Sequence, residues 1–219
     1  MKIGFFDSGI GGTSVLNVVK NLLPNEEYKY IADSKNCPYG EKSDEELKEI
    51  VSKNTEELIG WGAEIIVVAC NTATTKCINH LREKYPNIKF VGTEPAIKLA
   101  AESDAKSILV MATPGTIASE RTKSLLEEYQ KPDQNITLLA CPGLADTIEL
   151  NLPNQNLKNI EQKLKNLFET LKTENYNPDV IVLGCTHYSL IKPQIQSFFP
   201  STILIDGNDG VARRVKELI

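Results

Sequence analysis

The sequence lacks long apolar runs, CxxC pairs and any excess of basic charge, and each absence removes a class of protein. No apolar stretch approaches the ~18–20 residues of a membrane-spanning helix. The N-terminal run Ile3-Gly4-Phe5-Phe6 meets Asp7 and is too short for a signal-peptide core. A net charge of -5, from 24 Lys and Arg against 29 Asp and Glu, argues against nucleic acid as a partner, because neutralising phosphates needs a basic face. The five cysteines (Cys37, Cys70, Cys77, Cys141 and Cys185) are odd in number and none sits at CxxC spacing. That disfavours a disulfide framework, a structural zinc site and a dithiol redox centre. Gly9-Ile10-Gly11-Gly12 has Ser14 where a dinucleotide fingerprint needs its third glycine, and no Walker A motif occurs. No cofactor or metal site is therefore read from the sequence. The expectation is a soluble, cytoplasmic protein acting on a small molecule, with neither membrane nor nucleic acid as a partner.

What is present is ordinary for a globular chain of 219 residues: 41% apolar and 24% charged. Short apolar runs alternate with helical patterns. Ile3–Phe6, Tyr28–Ala32, Ile65–Ala69, Ile88–Val91, Ile108–Met111, Ile136–Ala140, Val180–Leu183 and Ile203–Ile205 read as strands. Several are apolar at every position, as strands buried on both faces are. Between them fall helices, such as the one with Leu157, Ile160, Leu164, Leu167, Phe168 and Leu171 on one face, and one opened by a Ser43/Glu46 capping box and ended by Gly60 and Gly62. Strands alternating with helices predict an α/β fold with mostly parallel sheets.

An internal repeat organises these elements. Glu64–Thr72 parallels Asp179–His187, 115 positions apart: acidic, four apolar, small, Cys, polar, polar. Phe90-Val91-Gly92 and Ile205-Asp206-Gly207 share that offset, Cys37-Pro38 and Cys141-Pro142 lie 104 apart, and the strands at Ile3 and Ile108 lie 105 apart. The common order predicts two similar α/β lobes, related by a pseudo-twofold, with an active site in the cleft between them. The first lobe would comprise residues 1–92 plus 207–219, the second residues 93–206.

Ligands of open α/β sheets bind at the carboxyl ends of strands. Asp7-Ser8, Cys70-Asn71-Thr72, Thr113 to Thr116, Cys141-Pro142 leading to Glu149, and Cys185-Thr186-His187 fall there. Two equivalent cysteines facing one cleft would approach a substrate from mirror faces, which is what inverting a carbon stereocentre requires. Asp7 could assist one thiol, and Glu149 or His187 the other. Ser8, Asn71, Thr72 and Thr186 offer neutral donors and acceptors for carboxylate and ammonium groups. A plainer reading makes Asp7 a cap for the glycine-rich turn, His80 a surface helix residue, Trp61 packing, and Cys37, Cys77 and Cys141 structural.

Phe6–Gly12, Cys37–Gly40, Ala69–Ala73, Ala112–Thr116, Cys141-Pro142 with Glu149, and Leu183–Tyr188 resemble the motifs of bacterial glutamate racemases, within the cofactor-independent aspartate/glutamate racemase family. The resemblance runs from Ile3 to about Ala212. It implies that Cys70 and Cys185 are the acid/base thiols, Cys70 serving D-glutamate and Cys185 L-glutamate. Asp7 would support Cys70, and Glu149 and His187 would support Cys185. Asp7, Ser8, Tyr39, Gly40, Asn71, Thr72, Thr186 and His187 would line the substrate pocket. The implied role is supply of D-glutamate for peptidoglycan, hence cell-wall biogenesis and cell shape, with a homodimer left open. Four departures are read. Ser189 stands where the family usually has Pro, Glu120-Arg121 stand in a region that is usually small and polar, the chain stops at Ile219 where members commonly add helix, and it starts directly at its first strand, so an N-terminal extension to host a regulatory ligand is not expected. Racemisation of aspartate or another acidic amino acid is the nearest alternative, followed by a non-catalytic binding module and a thiol redox protein.

Overall fold

The computed structural model describes residues 1–172 and 176–219. They divide into two compact units: Met1–Glu94 with Gly207–Ile219, and Pro95–Asp206. Unit 1 contains β1 (Lys2–Asp7), α1 (Thr13–Leu22), β2 (Glu27–Ala32), α2 (Asp44–Trp61), β3 (Ile65–Val68), α3 (Asn71–Lys84) and β4 (Lys89–Gly92). Unit 2 contains α4 (Ile97–Glu102), β5 (Ser107–Ala112), α5 (Pro114–Ile117), α6 (Glu120–Tyr129), β6 (Asn135–Ala140), α7 (Leu144–Asn151) and α8 (Leu157–Lys172). It continues with β7 (Val180–Gly184), α9 (Thr186–Ser189), α10 (Lys192–Phe198) and β8 (Ile203–Ile205), after which α11 (Asn208–Glu217) returns to unit 1.

Each unit is built on a four-stranded sheet with every pairing parallel, ordered β2-β1-β3-β4 in one and β6-β5-β7-β8 in the other. This is the α/β fold that the alternating pattern predicts. Register makes the repeat concrete. Ile3 pairs with Ile65, and Ile108 with Val180, so the offsets of 105 and 115 read from the sequence describe equivalent strands.

Two of the proposed equivalences shift. Ile66 pairs with Phe90 while Ile181 pairs with Leu204, so Phe90 corresponds to Leu204 and not to Ile205. The Cys-Pro pairs are not equivalent either. The Cys141 amide donates to the Ala112 carbonyl, and the matching bond in unit 1 runs from the Asp33 amide to the Asp7 carbonyl, both at 2.9 Å. Asp33, not Cys37, is the counterpart of Cys141. A 3₁₀ turn over Ser34–Asn36 separates Cys37 from its strand.

The central strands are buried on both faces, and alternate residues serve different layers. Ile65 and Val67 join Ile3, Phe5, Val15 and Val19 of one cluster with Val211, Ala212 and Val215 of α11. Ile66 and Val68 join Phe6 and the apolar faces of α2 and α3. In unit 2, Ile181 and Leu183 pack with Ile160, Leu164 and Phe168 of α8, whereas Val180 and Val182 pack with Ile97, Ala100 and Leu125 of α4 and α6. Phe168 meets Phe199 edge-on with ring centroids 4.9 Å apart.

The local punctuation is partly as expected. Ser43 Oγ accepts the Glu46 amide at 3.2 Å, but the Glu46 carboxylate pairs with Lys42 at 2.8 Å and does not return to close the box. Gly60 lies inside α2. Gly62 alone ends the helix, at φ 94°, a conformation glycine adopts without steric cost. Among the described residues no helix is long and apolar enough to cross a membrane.

Candidate active site

Unit 1 gathers its polar groups at the carboxyl ends of β1, β2 and β3. Cys70 follows β3 and is the N-cap residue of α3. Its thiol donates to Ser8 Oγ at 3.9 Å, and the backbone N–H groups of Ala73 and Thr72 also point at the sulfur. Burial pushes the thiol pKa up to about 12, and the neighbouring Asp7 charge pushes the same way. The amides and the Ser8 hydroxyl oppose this and lose. A helix N-terminus is expected to favour a thiolate here; in the structure desolvation wins, and the resting group is a thiol.

Asp7 ends β1 and is fully buried. Its carboxylate accepts the Gly12 amide at 2.8 Å, so the cap for the glycine-rich turn is real and coexists with proximity to Cys70. Gly12 has ordinary helical dihedrals, φ -64° and ψ -11°, so conformational freedom is not why glycine stands there. Close approach is. A Cβ would lie 2.7 Å from Asp7 Cβ, 2.8 Å from Tyr30 Oη and 3.0 Å from Ala69 Cβ. Asp7 and Ala69 are held by the sheet, and Tyr30 Oη is tied to the Gly9 carbonyl. Gly12→Ala is therefore expected to destabilise the protein by about 1–3 kcal/mol, the usual cost of overpacking. The check is a lower urea midpoint at unchanged m-value.

Tyr39 and Gly40 lie in a 3₁₀ turn over Tyr39–Glu41. Tyr39 is buried and its hydroxyl donates to Asp33 Oδ2 at 2.6 Å, while Asn54 Nδ2 donates to Tyr39 Oη at 3.0 Å. Asn36 Nδ2 donates to both Asp33 oxygens, at 2.9 and 3.0 Å. Burial, and after it the Asp33 bond, raises the Tyr39 pKa far above the phenol range, with smaller contributions from Cys70 and Asp7. The tyrosine thus stays a neutral donor in the same neighbourhood as Cys70. Sequence reasoning missed Asp33, Asn36 and Asn54. Asn54 belongs to α2, and no local spacing links it to the turn. Asn71 and Thr72 occupy the first turn of α3, both buried.

Unit 2 repeats the theme with different parts. Cys185 follows β7 and is the N-cap residue of α9; Thr186 and His187 are buried in that helix's single turn. His187 Nδ1 lies 3.9 Å from Cys185 Sγ, and Nε2 lies 2.7 Å from Glu149 Oε2 on α7. With Glu149 ionised, Nε2 carries the ring proton and donates it to the carboxylate. In the neutral ring Nδ1 is then the acceptor, 3.9 Å from the thiol sulfur. The residues alone left Glu149 and His187 as alternatives and the resemblance implied both; in the structure His187 lies between Glu149 and Cys185. Tyr188 is fully buried, and its hydroxyl donates to the Cys141 carbonyl at 3.4 Å. Burial pushes the Cys141 thiol up to about 12, against the Tyr188 hydrogen bond. In both units a buried tyrosine hydroxyl reaches the residue just past the outer strand, Asp33 or Cys141.

Thr113 caps α5 and its hydroxyl donates to Thr116 Oγ1 at 3.0 Å. Cys77 is buried in α3, and Trp61 packs beside the same core. His80 is half-buried with Nε2 3.3 Å from Ser52 Oγ. Among the described residues, no group of three or more His, Cys, Asp or Glu side chains is placed to hold a metal ion.

Comparison with known proteins fits this arrangement. Residues 13–215 match the Asp/Glu/Hydantoin racemase family. A glutamate racemase of Clostridium perfringens (strain SM101 / Type A) is 41% identical over 217 residues, covering 98% of this chain and 81% of the relative. The crystal structure of Escherichia coli glutamate racemase in complex with L-glutamate and the activator UDP-MurNAc-ala superposes with a TM-score of 0.91 at 33% identity, over 99% of this chain and 81% of that one. The Francisella tularensis glutamate racemase bound to D-glutamate gives a TM-score of 0.81 at 26% identity, over 99% and 80%. With a family match over most of its length and such relatives along nearly all of it, the chain belongs to the Asp/Glu/Hydantoin racemase family and is an isomerase.

Proposed function

We propose that this protein interconverts L- and D-glutamate with two thiols and no cofactor, and that the D-glutamate is a building block for peptidoglycan. The observation that carries the reading is the repeat. The two units share one strand order, and each has a cysteine at the carboxyl end of the equivalent strand with ionisable neighbours, the Asp7 charge in one and the His187–Glu149 pair in the other. Glutamate is favoured over aspartate by the relatives above, which bear the name glutamate racemase at 41% and 33% identity.

From L-glutamate, the Cys185 thiolate takes the Cα proton, and the electron pair stays on Cα, delocalised into the carboxyl group. The Cys70 thiol then gives its proton to the other face, leaving Cys70 as thiolate and Cys185 as thiol. The D-to-L direction runs the same steps backwards. Each thiol needs a partner that resets it between turnovers, since burial disfavours the thiolate. Asp7 accepts from Cys70, and His187, oriented by Glu149, accepts from Cys185. Ser8, Tyr39, Gly40, Asn71, Thr72 and Thr186 supply neutral donors and acceptors for the substrate's charged ends.

The test uses the purified protein with pure L-glutamate and no added pyridoxal phosphate. The expected result is decay of the circular dichroism signal to zero, with one solvent deuterium entering Cα per inversion in D₂O. Racemisation of L-aspartate in preference would move the substrate to the shorter acid. Turnover of neither would overturn the reading.

A further inference from the structure

Ser189 is the last residue of α9, the single turn that starts at Thr186 and carries His187. Its hydroxyl donates to Asp206 Oδ2 at 2.8 Å, and Lys192 Nζ, at the start of α10, pairs with the same oxygen at 2.8 Å. Asp206 follows β8, which lies beside β7 in the sheet, and its side chain is only 10% exposed. One carboxylate oxygen past the edge strand therefore holds the end of α9 and the beginning of α10.

A four-residue helix has almost no stability of its own. Its backbone bonds are the short-range kind, Tyr188 N to Cys185 O at 3.0 Å and Leu190 N to His187 O at 3.1 Å. Its orientation is set by what pins it: Cys185 at one end, the buried Tyr188 against Cys141, and Ser189 on Asp206 at the other. The contact that depends most on that orientation is the His187 Nδ1 approach to Cys185 Sγ at 3.9 Å, already at the long limit for sulfur.

Resting on the glutamate reading above, we propose that Ser189 and Asp206 are positioning residues that aim His187 at Cys185, and so act on one face of the reaction only. The Lys192 ion pair is half-exposed, of the kind that contributes little alone. Its task is to keep the Asp206 carboxylate in place.

The experiment is a one-sided reaction. With 3-chloroglutamate, one thiolate removes the Cα proton, the electron pair forms the Cα–Cβ double bond, and chloride leaves. The enamine then hydrolyses to 2-oxoglutarate and ammonium. The L enantiomer uses Cys185 as base and the D enantiomer Cys70. Ser189→Ala should lower kcat for elimination from the L enantiomer about ten-fold, within the range that a misplacement of about 1 Å can cost. KM should change less than about two-fold, and elimination from the D enantiomer should keep its rate. Ser189→Thr should restore most of the loss. Ser189→Ala combined with Asp206→Ala should be no worse than Asp206→Ala alone, since both break one interaction. Equal losses on both enantiomers, or no loss in Ser189→Ala, would overturn the positioning role. Failure of the wild-type protein to racemise glutamate would instead overturn the reading beneath it, so the two failures are distinct.

Discussion

Cys70→Ser and Cys185→Ser are each expected to abolish racemisation of glutamate, and their residual chemistries to be mirror images. Inversion at Cα needs one group to take a proton and another to return it, so loss of either thiol stops both directions. A serine hydroxyl is a far weaker acid than a thiol, and general acid–base catalysis at a single position contributes ~10²–10⁴-fold. Elimination from a substrate with a leaving group at Cβ needs only the abstraction. Cys70→Ser therefore keeps elimination from the L enantiomer, and Cys185→Ser keeps it from the D enantiomer. Product formation from each pure enantiomer measures this directly. Near-normal racemisation in either variant would remove the two-thiol mechanism.

The second large effect concerns the proton partners, and the electrostatics make it a sharp test. The Asp7 charge raises the Cys70 pKa, second only to burial. Asp7→Asn keeps the acceptor for the Gly12 amide but removes that charge, so the Cys70 thiol must titrate at lower pH. Were Asp7 only a tuning charge, more thiolate would be present at neutral pH and turnover would rise. In the proposed role of acceptor of the Cys70 proton, its loss is expected to lower kcat instead, by about 10²-fold or more in the direction where Cys70 is the base. His187→Asn does the same in the direction where Cys185 is the base. Because the equilibrium between enantiomers is fixed, each directional fall in kcat is matched by a change in KM that preserves the ratio of kcat/KM values. Initial rates from each pure enantiomer, with the pH dependence of the thiolate absorbance lost on Cys70→Ser, check both parts. A lower thiol pKa accompanied by faster turnover in Asp7→Asn would sink the proton-acceptor role.

Much of this is legible in the sequence because it is local. Four apolar residues ending in a small residue and Cys specify a buried central strand and the helix start beyond it, and the pattern occurs twice. Cys70 and Cys185 thus emerge together with their polar neighbours. The parts that escape are held by contacts between residues distant along the chain. Asp33 looks like any loop aspartate until its amide is seen bonded to Asp7 and its carboxylate to the Tyr39 hydroxyl. Asn54 joins that network from the middle of a helix whose apolar periodicity says nothing of it. The Cys-Pro repeat misleads because it matches residue identity where strand register decides equivalence. The state of the Cys70 thiol is equally hidden, since its burial, not its place at a helix start, dominates its acidity.

Unit 1 is discontinuous in the chain, and this bears on the order in which the protein can be made. Val211, Ala212 and Val215 of α11 fill the cluster that lines one face of the first sheet with Ile3, Phe5 and Val15. All of Pro95–Asp206 is synthesised before those three residues exist. A nascent chain can thus complete the second sheet and its helices while the first still exposes an apolar face. Closing that face joins residues separated in sequence by the whole second unit, a loop whose entropic cost grows only slowly with its length. Folding of the first unit is therefore expected to be the later event during translation, and its uncovered face the surface a chaperone would meet.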